Sequence, residues 1–155
     1  MEKIKNRVGL ILFTLYLVQY LVKLEFDYLN QLQTNSTYQY WSGFVLFLFI
    51  LSQWFLPVQR FFFNATDKDM KRMISSHNWL GVISPVIFYL HSTRPDYGIL
   101  LFLTVVFFLN MLLGLSINSD SLKRYYHIGI TFHIFMSVQI IMLVILHIWL
   151  VFYYN

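Results

Sequence analysis

The sequence predicts an all-α integral membrane protein of five transmembrane helices, the last four forming a four-helix core. Three observations carry this expectation. Of 155 residues, 58% are hydrophobic and only 12% charged, about half the roughly 25% charged residues typical of a soluble domain. The chain holds 16 Phe, 11 Tyr and 4 Trp, far too much apolar mass for a disordered chain. The apolar residues also gather into five runs, each close to the ~20 residues that cross a hydrocarbon core. Helices are the way such runs satisfy their own backbone in lipid.

The first run covers residues 8–24, with Gln19 and Lys23 near its end. It has no small-residue cleavage site before Lys23, so it reads as an uncleaved helix and not a signal peptide. The second run, 41–58, is closed by Pro57 and Arg60, and the third, 74–93, carries Pro85 in its middle. The fourth is 97–117 and the fifth 128–154. The stretch Asp27 to Tyr40 reads as a polar loop. Its Asn35-Ser36-Thr37 fits a glycosylation sequon, a three-residue pattern common by chance; Asn64-Ala65-Thr66 is a second. With no linker, repeat or low-complexity tract, residues 1–155 form one transmembrane domain.

Lys and Arg number 11 against 7 Asp and Glu, and the pI is near 9.3. The basic residues lie between apolar runs, so topology explains them better than nucleic acid does. Nine of them (Lys3, Lys5, Arg7, Arg60, Lys68, Lys71, Arg72, Lys123 and Arg124) fall on one side of the five-span scheme, and only Lys23 and Arg94 on the other. The positive-inside rule then puts the N-terminus on the cytoplasmic or matrix side and the C-terminus opposite. The host is a bacterial inner membrane or an organellar membrane. There is no cysteine, which removes disulfides, thiolate metal sites, iron–sulfur clusters and covalently attached haem.

The five histidines (His77, His91, His127, His133 and His147) all fall in or beside the third and fifth runs. His77 and His91 are 14 residues apart, and so are His133 and His147. Fourteen helical steps turn about 1400°, some 40° short of four full turns, and rise about 21 Å. Each pair therefore leaves its helix on nearly one face. In a five-span scheme the third and fifth runs are parallel, so His77 and His133 share one depth and His91 and His147 the other. Two imidazoles at one depth offer two axial nitrogens to an iron. The expectation is two stacked, non-covalent b haems, ligated by His77 with His133 and by His91 with His147. Zinc suits the pattern less well, because the spans contain no carboxylate and the two levels are far apart. A proton relay would also want Asp or Glu partners in the spans.

Other residues are candidate haem contacts. Gly81 lies four residues after His77, and Gly129 four before His133; a position without Cβ lets a macrocycle approach the backbone, although small residues equally serve helix packing. Ser84, Ser137 and Gln139 are candidate hydrogen-bond partners for imidazole Nδ1. Arg72, Lys123 and Arg124 are candidates to neutralise propionates at the inner level, as is Lys71, and Arg94 at the outer level. His127, six residues before His133, points elsewhere and joins Tyr125 and Tyr126 at the inner boundary.

The segment from Arg72 to Phe152 resembles the ferric reductase-like transmembrane family, which includes the membrane domains of ferric reductases and NADPH oxidases. The resemblance rests on His77-Asn78-Trp79-Leu80-Gly81, then His91, then His133 and His147 two spans later. It implies two haems held between the third and fifth helices. Cytochromes b of quinol-oxidising complexes and the cytochrome b561 group also use paired histidines. Family reductases commonly continue through a sixth helix into a flavin- and nicotinamide-binding domain. Here the sequence ends at Asn155, and no Gly-x-Gly-x-x-Gly marks a dinucleotide site. The expectation is therefore an electron-transfer subunit of an oxidoreductase, working with a separate donor and acceptor: other subunits of a redox complex, a soluble electron-transfer protein or a quinone. Two alternatives stand beside it: a haem-free structural or assembly subunit, and a single-haem quinone-reactive anchor.

Overall fold

The computed structural model describes residues 2–62, 66–95, 98–117 and 124–154. The described residues are helical with short connections and no strand. Seven helices follow in order: α1 Glu2–Val22, α2 Asp27–Thr34, α3 Ser36–Gln53, α4 Phe55–Phe62, α5 Asp67–His91, α6 Gly98–Ile117 and α7 Tyr126–Tyr154. They form two compact units, Met1–Thr93 and Arg94–Asn155.

Among the described residues, three stretches are long and apolar enough to cross a membrane: Ser36–Phe62, Gly98–Ile117 and Tyr126–Tyr154. A fourth joins them if α1 and α2, bent by 85°, count as one span. These are composition and length suited to an integral membrane protein, and exposed Leu15, Phe44, Phe135 and Ile145 present the apolar surface that lipid requires. The histidine-bearing α5 has 25 residues but is not among those stretches. Its Ser75, Ser76, His77, Asn78 and Ser84 dilute the apolar run; of these only Ser76 is exposed, and polar groups in a membrane helix are expected to face inward.

In the first unit, α1 ends where Lys23 takes a left-handed φ of 56° and the Leu24 amide closes back on the Gln19 carbonyl at 3.1 Å. That is a Schellman-type stop made without glycine. The stretch expected to be a loop then forms α2 and the start of α3. Asn35 of the first sequon caps α3, its side chain accepting the Tyr38 amide at 3.2 Å. Asn64 of the second lies outside the described residues, while its Thr66 caps α5. The Thr66 hydroxyl accepts the Asp69 amide at 3.3 Å and donates to the Asp69 carboxylate at 2.6 Å. With Asp67 and Asp69 in the first turn favouring the positive end of the helix dipole, this cap starts α5 seven residues before the apolar run.

Packing in this unit is set by α5. Lys5 of α1 is buried, its Nζ 2.8 Å from Ser75 Oγ and 5.5 Å from the Trp79 ring centre. Farther along, the Tyr16 ring meets Phe88 edge-on at 5.7 Å, so α1 and α5 run parallel. Pro85, fully buried, has no amide to give the Gly81 carbonyl; the Ser84 hydroxyl takes that bond at 2.7 Å. The C-terminal end of α5 is covered by α2. Gln33 Nε2 donates to Tyr89 O at 2.8 Å, and Gln33 Oε1 accepts from the Thr93 hydroxyl at 2.8 Å. The Tyr38 hydroxyl donates to Leu90 O at 2.7 Å. These bonds satisfy backbone groups that a helix end leaves open.

In the second unit α6 and α7 pack antiparallel. Asn110 meets Ser137, and a Cβ at Gly129 would lie 3.3 Å from Ile117 Cγ1. The far end of α7 carries stacked Trp149 and Tyr153, their ring centres 5.2 Å apart, residue types enriched at membrane interfaces.

Candidate functional site

The four paired histidines divide between the two units, His77 and His91 on α5 and His133 and His147 on α7. The 14-residue spacing does place both α5 imidazoles against one neighbour, α3. His77 is half-buried and its Nδ1 lies 3.2 Å from the Gln53 carbonyl oxygen. His91 Nδ1 lies 3.0 Å from Ser42 Oγ.

The Gln53 carbonyl is available because of Pro57. In a continuous helix the residue four positions on would donate its amide to Gln53, but Pro57 has none. The chain breaks at Trp54, whose amide bonds Leu51 O at 3.0 Å, and the carbonyl at the end of α3 is left for the imidazole. A carbonyl can only accept, so His77 Nδ1 carries the proton and the neutral ring keeps its lone pair on Nε2. At His91 the partner is a hydroxyl, which can donate or accept. The Ser42 hydroxyl also lies 3.3 Å from Gln39 O, so its one proton can serve either that carbonyl or His91 Nδ1.

His133 reaches a carbonyl by a different device. Its Nδ1 lies 3.1 Å from Asn110 O, inside the unbroken helix α6. The approach is open because position 114, one turn on, is glycine. A Cβ there would sit 3.0 Å from His133 Cε1, closer than ordinary packing tolerates. Gly43 does the same for His91, where a Cβ would lie 3.2 Å from Cε1. A hydrogen-bond circuit locks the α6–α7 contact. Asn110 Nδ2 donates to Ser137 Oγ at 3.0 Å, Ser137 donates to His133 O at 2.7 Å, and His133 returns its Nδ1 proton to Asn110 O.

The remaining expected residues are placed as follows. His147 is half-buried on α7 and makes no side-chain hydrogen bond among the described residues. His127 is exposed, edge-on to Tyr126 at 5.7 Å. A Cβ at Gly81 would meet nothing within 4 Å, so no protein contact demands glycine there. Gly129 lines a cavity of about 340 Å³ with Leu113, Ser116, Ile117 and Phe132. Arg72, Arg94 and Arg124 are exposed, and Lys123 lies outside the described residues. Ser84 and Ser137, expected to orient imidazoles directly, give their hydroxyls to backbone carbonyls instead.

Sequence reasoning missed Ser42, Gly43, Gln53, Asn110 and Gly114. Pro57 was the available signal for Gln53, since a proline inside an apolar run exposes the carbonyl four residues before it. Two of these residues hold an unused polar atom: Gln53 Nε2 and Asn110 Oδ1 are buried with no hydrogen-bond partner among the described residues. Among the described residues no three His, Asp or Glu side chains converge to hold a bare metal ion. Comparisons with protein-family models, with curated proteins and with solved structures returned no match.

Proposed function

We propose that this chain is a membrane cytochrome subunit that carries electrons across a bilayer through two non-covalent b haems, ligated by His77 with His133 and by His91 with His147. One observation supports this most. Two of the four histidines, His77 and His133, have Nδ1 tied to a carbonyl on the neighbouring helix, at 3.2 and 3.1 Å, so their neutral rings carry the lone pair on Nε2, and a third, His91, has Nδ1 3.0 Å from a serine hydroxyl. Fixing tautomer and ring direction in this way is what a metal-ligating imidazole requires.

Haem b, when bound, supplies reversible one-electron chemistry at iron. The chain's own part is to hold the imidazoles, to fill the surroundings with apolar side chains, and to keep water out. The proposed arrangement is five spans, α3 with α4 forming the second and α5 the third, with the N-terminus on the cytoplasmic or matrix side. Donor and acceptor are separate proteins or a quinone.

A dithionite-reduced spectrum with pyridine haemochrome quantification on the purified protein tests this reading. Two haems b per chain is the expected result. His147, without a hydrogen bond among the described residues, favours a second reading in which only His77 and His133 hold iron and the chain is a single-haem anchor; one haem per chain would select it. No haem would leave a structural subunit.

A further inference from the structure

We propose that Lys5 is a buried positive charge that raises the reduction potential of the haem held at His77; the inference rests on the haem reading above. Among the described residues Lys5 alone of the Lys and Arg side chains is buried, at 5% exposure. Arg7, two residues on in α1, is exposed, as basic side chains near a membrane boundary ordinarily are, because they extend to keep the charged head in water. Lys5 turns its head inward. Its Nζ donates to Ser75 Oγ at 2.8 Å and stands 5.5 Å from the centre of the Trp79 ring, a distance at which a ring face attracts a cation. No carboxylate pairs with it among the described residues. Topology accounts for a basic residue near this end of α1, but not for its burial. A hydroxyl and a ring offset part of the cost of burying an ammonium without cancelling its charge. The field of Lys5 is therefore little screened by water or salt.

The contacts of Lys5 decide where that field falls. Ser75 and Trp79 are one turn apart on α5, and His77 stands between them in height, about 3 Å from either along the axis. The ammonium thus lies at the depth of His77. His91 is farther on, about 18 Å along the helix beyond Trp79. Ser75 and Trp79 face α1, whereas His77 bonds to Gln53 of α3. Lys5 therefore acts on the His77 level across the helix, through its charge and not through a bond to the imidazole. Reduction adds one negative charge, and a nearby cation favours the form that carries it. Lys5 shifts the balance between the two haems toward reduction at the His77 level.

The test uses two full-length proteins that each keep one haem: His91→Ala keeps the His77 level, and His133→Ala the other. Both are purified with haem in detergent and titrated potentiometrically, with the reduced absorption band as the signal. In His91→Ala, adding Lys5→Met should lower the midpoint potential, by about tenfold in the reduction equilibrium or ~59 mV for one electron. In His133→Ala the same substitution should move the potential far less. The fall should persist at high salt. Lys5→Arg should hold the parent's potential, and so should Arg7→Met, which removes an exposed charge from the same helix. Where methionine lowers the yield of folded protein, Lys5→Gln removes the charge and keeps a donor for Ser75. An unchanged potential after loss of the charge, with haem retained, overturns the inference and leaves the haem reading intact. So does an equal fall at both levels, which marks a general loosening, and so does an equal fall in Lys5→Arg. A parent that takes up no haem overturns the haem reading and the inference with it.

Discussion

The two units hold their histidines with the same bond and make that bond possible in opposite ways. In the first unit a helix is broken: Pro57 withholds an amide, α3 stops at Gln53, and the released carbonyl meets His77. In the second the helix stays whole, and Gly114 removes the side chain that would block His133 from Asn110 O. A broken helix provides a strong, unshared acceptor but leaves a joint at Trp54. A glycine cut-out keeps α6 straight, while the carbonyl still serves its own helix. His91 uses a third variant, a glycine cut-out at Gly43 with a serine hydroxyl in place of the carbonyl.

The sites should therefore fail differently. Gly114→Val should be the most damaging of the substitutions considered. Its branched side chain occupies the place of the imidazole, overpacking that costs about 1–3 kcal/mol; the protein should lose the haem held by His133 and melt lower. Gly81→Ala is the contrast. Nothing lies within 4 Å of the added methyl, and the cofactor-free protein should gain about 0.5–1 kcal/mol from better helix propensity. Comparable losses from both, measured by thermal melting without cofactor, would remove the cut-out as the distinguishing device.

Pro57→Ala should rank next. It restores an amide able to bond Gln53 O, so His77 must share its acceptor. Hydrogen exchange should slow at residues 54–58, and the haem at the His77 level should dissociate faster, with the other level unaffected. Unchanged exchange would show that the break does not depend on proline. The smallest effect belongs to Ser42→Ala, which deletes one neutral hydrogen bond to His91, worth about 1 kcal/mol. Haem content should stay at two per chain while the midpoint potential of one haem rises, because its imidazole becomes a weaker donor. Movement of both potentials together would contradict an effect local to His91.

This comparison also explains what could be read from the sequence. Apolar runs and histidine spacing are local properties, so the long helices and the shared face of His77 and His91 were legible in the residues themselves. The partners of those histidines depend on register between helices distant in the chain. Gln53 is 24 residues from His77 and Ser42 49 residues from His91. Glycines were therefore sought on the histidine-bearing helices, at Gly81 and Gly129, whereas those shaped to an imidazole, Gly43 and Gly114, stand on the helices opposite. Ser84 misled for a local reason: its hydroxyl covers the carbonyl that Pro85 leaves open. The early start of α5 was readable in Thr66 and Asp69, had the cap been weighed beside hydropathy. Folding of the Asp27–Tyr40 stretch into α2 was not, because its role is to cover the end of a helix 56 to 60 residues away.

The most direct measurement is haem content per chain in the parent protein and in His91→Ala, His133→Ala and the double variant, each purified in detergent and assayed as the pyridine haemochrome. Two b haems at separate levels predict two, one, one and none. A parent without haem, or single variants that keep the parent's full content, would contradict the account.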